Sequence, residues 1–168
     1  MVVVGITMLF TAMAIGYTRT SEDRLALFSE QAKIQGLLNR AKTLALQGFG
    51  RTEGAEGACY GARFDMPVTG RHSIQLFRVG LESNGKCQAY DLDSGDVLII
   101  EQQTLDPRIL LGGDFENDIS FRAPDLVVFA EGEEPDDPID ILMKVRDKLD
   151  FEMKITISTG GGITSGLP

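Results

Sequence analysis

Tryptophan is missing from this chain of 168 residues, histidine occurs once and cysteine twice. A single imidazole, His72, with no C-x-x-C spacing anywhere, argues against a zinc or similar cysteine–histidine site. A Ser-His-Asp triad needs a histidine beside a nucleophile, and His72 falls at a turn-to-strand junction among polar neighbours. Basic residues are also in short supply. Lys and Arg number 16 against 25 Asp and Glu, a net charge of −9. Phosphate binding needs clustered cations, so nucleic acid is not an expected partner. Gly160-Gly161-Gly162 has no following Lys-Ser/Thr, which makes it a glycine turn rather than a phosphate loop. The carboxylates fall mostly in loops, where acids are the ordinary residue, and a glycosidase-like pair is not expected. The sequence therefore points away from an enzyme.

Charge is absent altogether from Met1–Tyr17, MVVVGITMLFTAMAIGY. A membrane-crossing helix needs about 20 apolar residues, with a range of ~17–25, so this run sits at the short edge. Small and hydroxyl residues (Gly5, Thr7, Thr11, Ala12, Ala14) allow helices to approach closely. Ala12-Met13-Ala14 has the form of a signal-peptide cleavage site, yet no Lys or Arg precedes the run. An ordinary single-span anchor leaves unexplained why helical periodicity continues beyond it. After a polar collar at Thr18–Asp23, the residues Ile34, Leu37, Leu38, Ala41, Leu44 and Ala45 follow i, i+3, i+4, i+7 spacing. That stripe predicts an amphipathic helix over 18–47, with one face packed on a sheet and closure at Gly48 and Gly50.

The opening MVVVGI, followed by small and apolar residues, is similar to the continuation of the type IV prepilin signature, G-FTLIE-x-MVVV-x-I. Ala41-Lys42-Thr43-Leu44-Ala45 resembles the A-R-x-x-A segment of the H-type (GspH/FimT-like) minor pseudopilins of type II secretion, and Lys154–Ile163, KITISTGGGI, looks like that family's closing strand and glycine turn. The resemblance covers both ends of the chain and is thin in the middle. It implies that Met1 is internal, with the basic leader, the processing glycine, the methylated N-terminus and the FTLIE glutamate lying upstream. It also implies a single-pass protein of the cytoplasmic (inner) membrane, its globular part outside the cytoplasm, that later enters a pilus or pseudopilus. Its partners would be inner-membrane lipid and other pilin or pseudopilin subunits. Val4, Gly5, Leu9, Ala12 and Gly16, continued by Ile34, Leu37, Leu38, Ala41, Leu44 and Ala45, would form the assembly helix.

Beyond Arg51–Gly57 the periodicity shortens to two. Strands are expected at 59–64, 73–79, 87–92, 97–102, 118–122, 126–130, 141–145 and 151–158, with a loop or short edge piece over 105–113. Asn84-Gly85 is a hairpin signal. Glu131–Asp140 holds six acids and two prolines, and reads as an exposed loop. Turn signals every ~8–12 residues with no second helix imply an antiparallel β domain.

Cys59 and Cys87 stand 28 positions apart, each at the start of a strand-like run. In an oxidising compartment they could form a disulfide, and in a reducing one they would be two buried thiols. One metal pattern is present: Asp114, Glu116 and Asp118 alternate after a Gly-Gly pair, with Asp125 at the twelfth place, an arrangement of oxygen ligands suited to calcium. Ile119 occupies the place where a calcium loop of that kind requires glycine. No other cofactor is indicated.

The expected fold is α+β: a long N-terminal helix (1–50; 1–17 membrane-inserted, 18–47 amphipathic) packed on a C-terminal antiparallel β domain (51–168), pilin-like. The expected role is a structural subunit of a pilus or pseudopilus that performs no bond chemistry. The alternative is a β-domain binding module, membrane-anchored or secreted.

Overall fold

The computed structural model describes residues 2–48, 58–67, 71–91, 97–113, 117–146, 148 and 151–167. Within the first turns of the helix, side chains are described at Met8, Thr11 and Met13, and from Ser21 onward. Among the described residues, one helix, α1 (Val2–Gly48), precedes nine strands. These are β1 (Ala58–Asp65), β2 (Ser73–Gly80), β3 (Leu98–Thr104), β4 (Ile109–Gly112), β5 (Asp118–Arg122), β6 (Val127–Ala130), β7 (Ile139–Val145), β8 (Glu152–Ile157) and β9 (Ile163–Gly166). They form two antiparallel sheets, a five-stranded one in the order β3-β2-β1-β5-β6 and a four-stranded one in the order β4-β7-β8-β9.

This corrects the expected fold class. The protein is mostly β, and among the described residues no helix is long and apolar enough to cross a membrane. A membrane-inserted helix carrying a β domain does not describe it, and the expected single-pass location in the inner membrane falls with it. The physical reason lies in the run itself, which is short of a comfortable span and is followed at once by Arg19, Glu22, Asp23 and Arg24. At the end of that segment Asp23 accepts from Lys148, in the loop after β7, and from Arg108, in the turn before β4, the latter at 3.4 Å.

Helical spacing explains the packing. Leu27, Glu30, Gln31, Ile34, Leu37, Leu38, Ala41 and Ala45 are all buried, one per turn or two, along a single face. That stripe lies against strands of both sheets. It shares one core with Ala62 and Phe64 of β1, Ile74 and Leu76 of β2, Ile119 and Phe121 of β5, and Ile141, Met143, Ile155 and Ile157 of β7 and β8. Burying a side chain such as Ile34 or Leu38 contributes about 1.5–3 kcal/mol. Lys42 reaches from the helix to donate to the Gly161 carbonyl at 3.0 Å, which ties α1 to the turn between β8 and β9.

Alternation places the other residues of the five-stranded sheet on its outer face. There Cys59, Phe77, Val79 and Phe129 form a second small core under a strap that includes Cys87 and Tyr90. The expected strand over 87–92 is absent from the described part of this segment. Cys87 makes only an isolated bridge with Leu81, because a disulfide to Cys59 pins it and Tyr90 turns edge-on to Phe77, ring centres 4.9 Å apart. The hairpin turn before it does form. Gly85 takes φ 82°, and the Lys86 amide donates to Asn84 Oδ1 at 2.7 Å. The 105–113 segment, expected as loop or a short edge piece, contains β4, which pairs with β7 from Ile109 opposite Val145 to Gly112 opposite Leu142.

Candidate functional site

The expected assembly positions divide in two. Ile34, Leu37, Leu38, Ala41 and Ala45 are buried in the protein's own core and Leu44 is half-buried beside it, so this face has no surface left for another subunit. Val4, Gly5, Leu9, Ala12 and Gly16 lie in the helical backbone of α1, with their side chains outside the described set. What the helix does expose is a different group of apolar side chains. Met8 is 70% exposed, Met13 68%, Leu25 66% and Phe28 55%. Leu25 and Phe28 are apolar positions of the helix that fall off the i, i+3, i+4 stripe, and that displacement turns them away from the core.

A groove of about 360 Å³ runs beside this exposed surface, lined by Arg24, Leu27, Phe28, Phe151, Met153 and Leu167 among others. Arg24 lies over the Phe151 ring, 4.8 Å from its centre, and Lys148 approaches the same ring at 5.7 Å. Cations stacked on that ring hold Phe151 at the mouth of the groove.

A wider cleft, about 870 Å³, opens between the end of β6 and strands β7 and β8. Its wall is the acidic segment, with Glu131, Glu133, Asp136, Asp137 and Asp140, and Lys154 as its cation. Lys154 is bonded to Asp140 at 2.6 Å, and Thr156 Oγ1 donates to the same carboxylate at 2.8 Å. The lysine, then the threonine, hold Asp140 below the ordinary carboxylate range. The prolines and the run of like charges make this a solvated loop.

The outer face of the five-stranded sheet holds a buried polar set that the sequence did not disclose. Asp118 and Ser120, two apart on β5, are both buried, and Asp118 Oδ2 and Ser120 Oγ have no hydrogen-bond partner. Arg63, two positions along from Gly61 on β1, lies over the Tyr90 ring at 4.2 Å, while Tyr90 donates its hydroxyl to Gln75 Oε1 at 2.8 Å. Burial, reinforced by Glu131 and opposed by Arg63 and the Tyr90 amide, pushes the Asp118 carboxyl up to about 6. His72 is a separate, core-edge residue. Its Nδ1 accepts the Leu111 amide at 3.4 Å, and burial, with Arg146 nearby, lowers its pKa.

The calcium pattern is only partly visible. Asp114 and Glu116 lie outside the described residues. Asp118 is committed to the sheet, and Asp125 is exposed in the turn that follows β5. Among the described residues, no three His, Cys, Asp or Glu side chains are grouped so as to hold a metal ion. The two cysteines, by contrast, are joined: Cys59 on β1 and Cys87 in the strap, with Cα atoms 5.8 Å apart and both side chains fully buried.

No protein-family model matches the chain, and comparison with curated proteins and with solved structures finds no match.

Proposed function

We propose that this protein is a non-enzymatic structural subunit that assembles with other subunits of its kind, as in a pilus or pseudopilus, using the part of α1 that its own core does not cover. The observation that carries this reading is the exposure of Met8, Met13, Leu25 and Phe28 on one continuous helix where, among the described side chains, Leu27 is the first that is buried. Large apolar side chains left in water along a helix favour a lateral partner. The resemblance of MVVVGI and of the two segments joined by Lys42 and Gly161 supports the same reading. The two β sheets then serve as the body presented outward from the assembly.

Sedimentation velocity of the full chain over a concentration series tests it. Assembly that is lost on Met13→Glu or Leu25→Glu, with circular dichroism and melting temperature retained, is the expected result. A chain that stays monomeric throughout, or assembly indifferent to both substitutions, overturns the reading.

A further inference from the structure

The two sheets present edges of unequal character. Three of them, β4, β6 and β9, are four residues long. β6 is further closed by a tight turn through Glu131 and Gly132, with an isolated bridge from Ala130 to Glu133. Short edge strands and tight turns are the ordinary means by which proteins prevent edge-to-edge pairing. The fourth edge, β3, has seven residues, LIIEQQT, with no proline, lysine or glycine. Leu98, Ile99 and Ile100 are consecutive and exposed, at 57%, 42% and 39%. A bulge produces this unusual run: Leu76 pairs with Glu101 and Phe77 with Ile99, so Ile100 has no opposite residue. Among the described residues nothing pairs with the outer side of β3.

We propose that the outer edge of β3 is a self-association site, where β3 of a second copy of this chain adds antiparallel and joins two five-stranded sheets across a two-fold axis. Three observations favour a second copy over an unlike strand. An antiparallel strand is complementary to itself under a two-fold. Centring the pair on Ile99 sets Ile99 opposite its own copy and Leu98 opposite Ile100, so that the central cross-strand pairs are all apolar. The chain as a whole carries −9, which opposes self-association, but the one charged residue of β3, Glu101, is already neutralised by an ion pair with Arg40. The edge is therefore a locally neutral strip on an acidic molecule. Outward N–H and C=O groups supply the ladder and the isoleucines supply burial. A single added strand pair covers less than the ~1,200 Å² of a standard stable interface, so the contact forms as the bulk protein concentration rises. It is independent of the helix contact proposed above.

Two measurements decide it. Ile99→Cys, oxidised in concentrated solution, should give a covalent dimer on a non-reducing gel, whereas Asp136→Cys, exposed beyond the opposite edge of the same sheet, should not. In hydrogen exchange, amides of Leu98–Thr104 should gain protection as concentration rises. Ile99→Lys should remove that gain while the melting temperature is kept, and Met13→Glu should leave it in place. Exchange at β3 that does not change with concentration, or protection that survives Ile99→Lys, overturns the proposal.

Discussion

Replacing Asp118 with asparagine is expected to stabilise the protein at neutral pH, against the usual direction of core substitutions. The folded chain holds the Asp118 proton up to a pKa of about 6, against an ordinary value of 3.8. Between those two values the folded state binds more protons than the unfolded one, so its stability falls as pH rises from about 4 to 6 and then levels off. Below the unfolded value the carboxyl is neutral in both states and nothing is lost. At ~1.36 kcal/mol per unit of displacement, the cost at neutral pH is about 3 kcal/mol at most. Asparagine is neutral throughout and keeps an oxygen to accept the Tyr90 amide. Urea denaturation of both proteins across pH 3.5–8 is the assay, and the difference between them removes the titration of the other carboxylates. The variant should be about 2–3 kcal/mol more stable at pH 7, with a margin that shrinks towards zero below pH 4. A variant less stable at pH 7, or a margin independent of pH, would show that burial does not hold the Asp118 proton.

The remaining expectations concern packing and cross-links. Leu38→Ala removes a fully buried side chain from between α1 and the sheets, and should cost about 2–5 kcal/mol in denaturant titration; a loss under about 1 kcal/mol, well below that range, would mean that α1 is not part of the core. Gly61→Ala would bring a Cβ to 2.4 Å from the Ile119 carbonyl oxygen and 2.6 Å from the Phe77 ring, so β1 and β5 would have to separate, at about 1–3 kcal/mol or more. Reduction of the Cys59–Cys87 bond, which spans 28 residues, should lower stability by about 3–4 kcal/mol, read as a shift in denaturation midpoint with and without reductant. An unchanged midpoint would contradict that figure.

The second half of α1 was legible in the sequence because an i, i+3, i+4 stripe from Ile34 to Ala45 puts its apolar residues on one side only when the backbone is helical. Strands β1, β2, β5 and β8 were legible through alternation, and the Asn84-Gly85 turn through its demand for positive φ. The segment holding β4 was harder, since Pro107 and Gly112-Gly113 read as punctuation and hid the alternation of Ile109 and Leu111, both buried. The 87–92 segment failed for a different reason: a disulfide and a ring contact fix its path, and neither is a local propensity. Reading Met1–Tyr17 as a membrane span weighed the absence of charge too heavily against a length at the limit of what a bilayer needs. In the candidate sites, Asp118 stands at the start of an expected strand and in an alternating run of acids suited to calcium, and neither reading marks it as buried. Nothing local distinguishes a carboxylate that a sheet will bury, because burial there depends on the strap that the disulfide draws across the outer face.

If α1 carries an assembly surface outside the protein's own core, a photo-crosslinking side chain at position 13 of the full chain should capture a neighbouring copy. A second variant with the same group at exposed Arg146 serves as control. The predicted result is crosslinks from position 13 to α1 of another copy, mapped by mass spectrometry, with few from position 146. Position 13 giving no intermolecular product at concentrations where the chain assembles would mean that subunits meet elsewhere than on this helix.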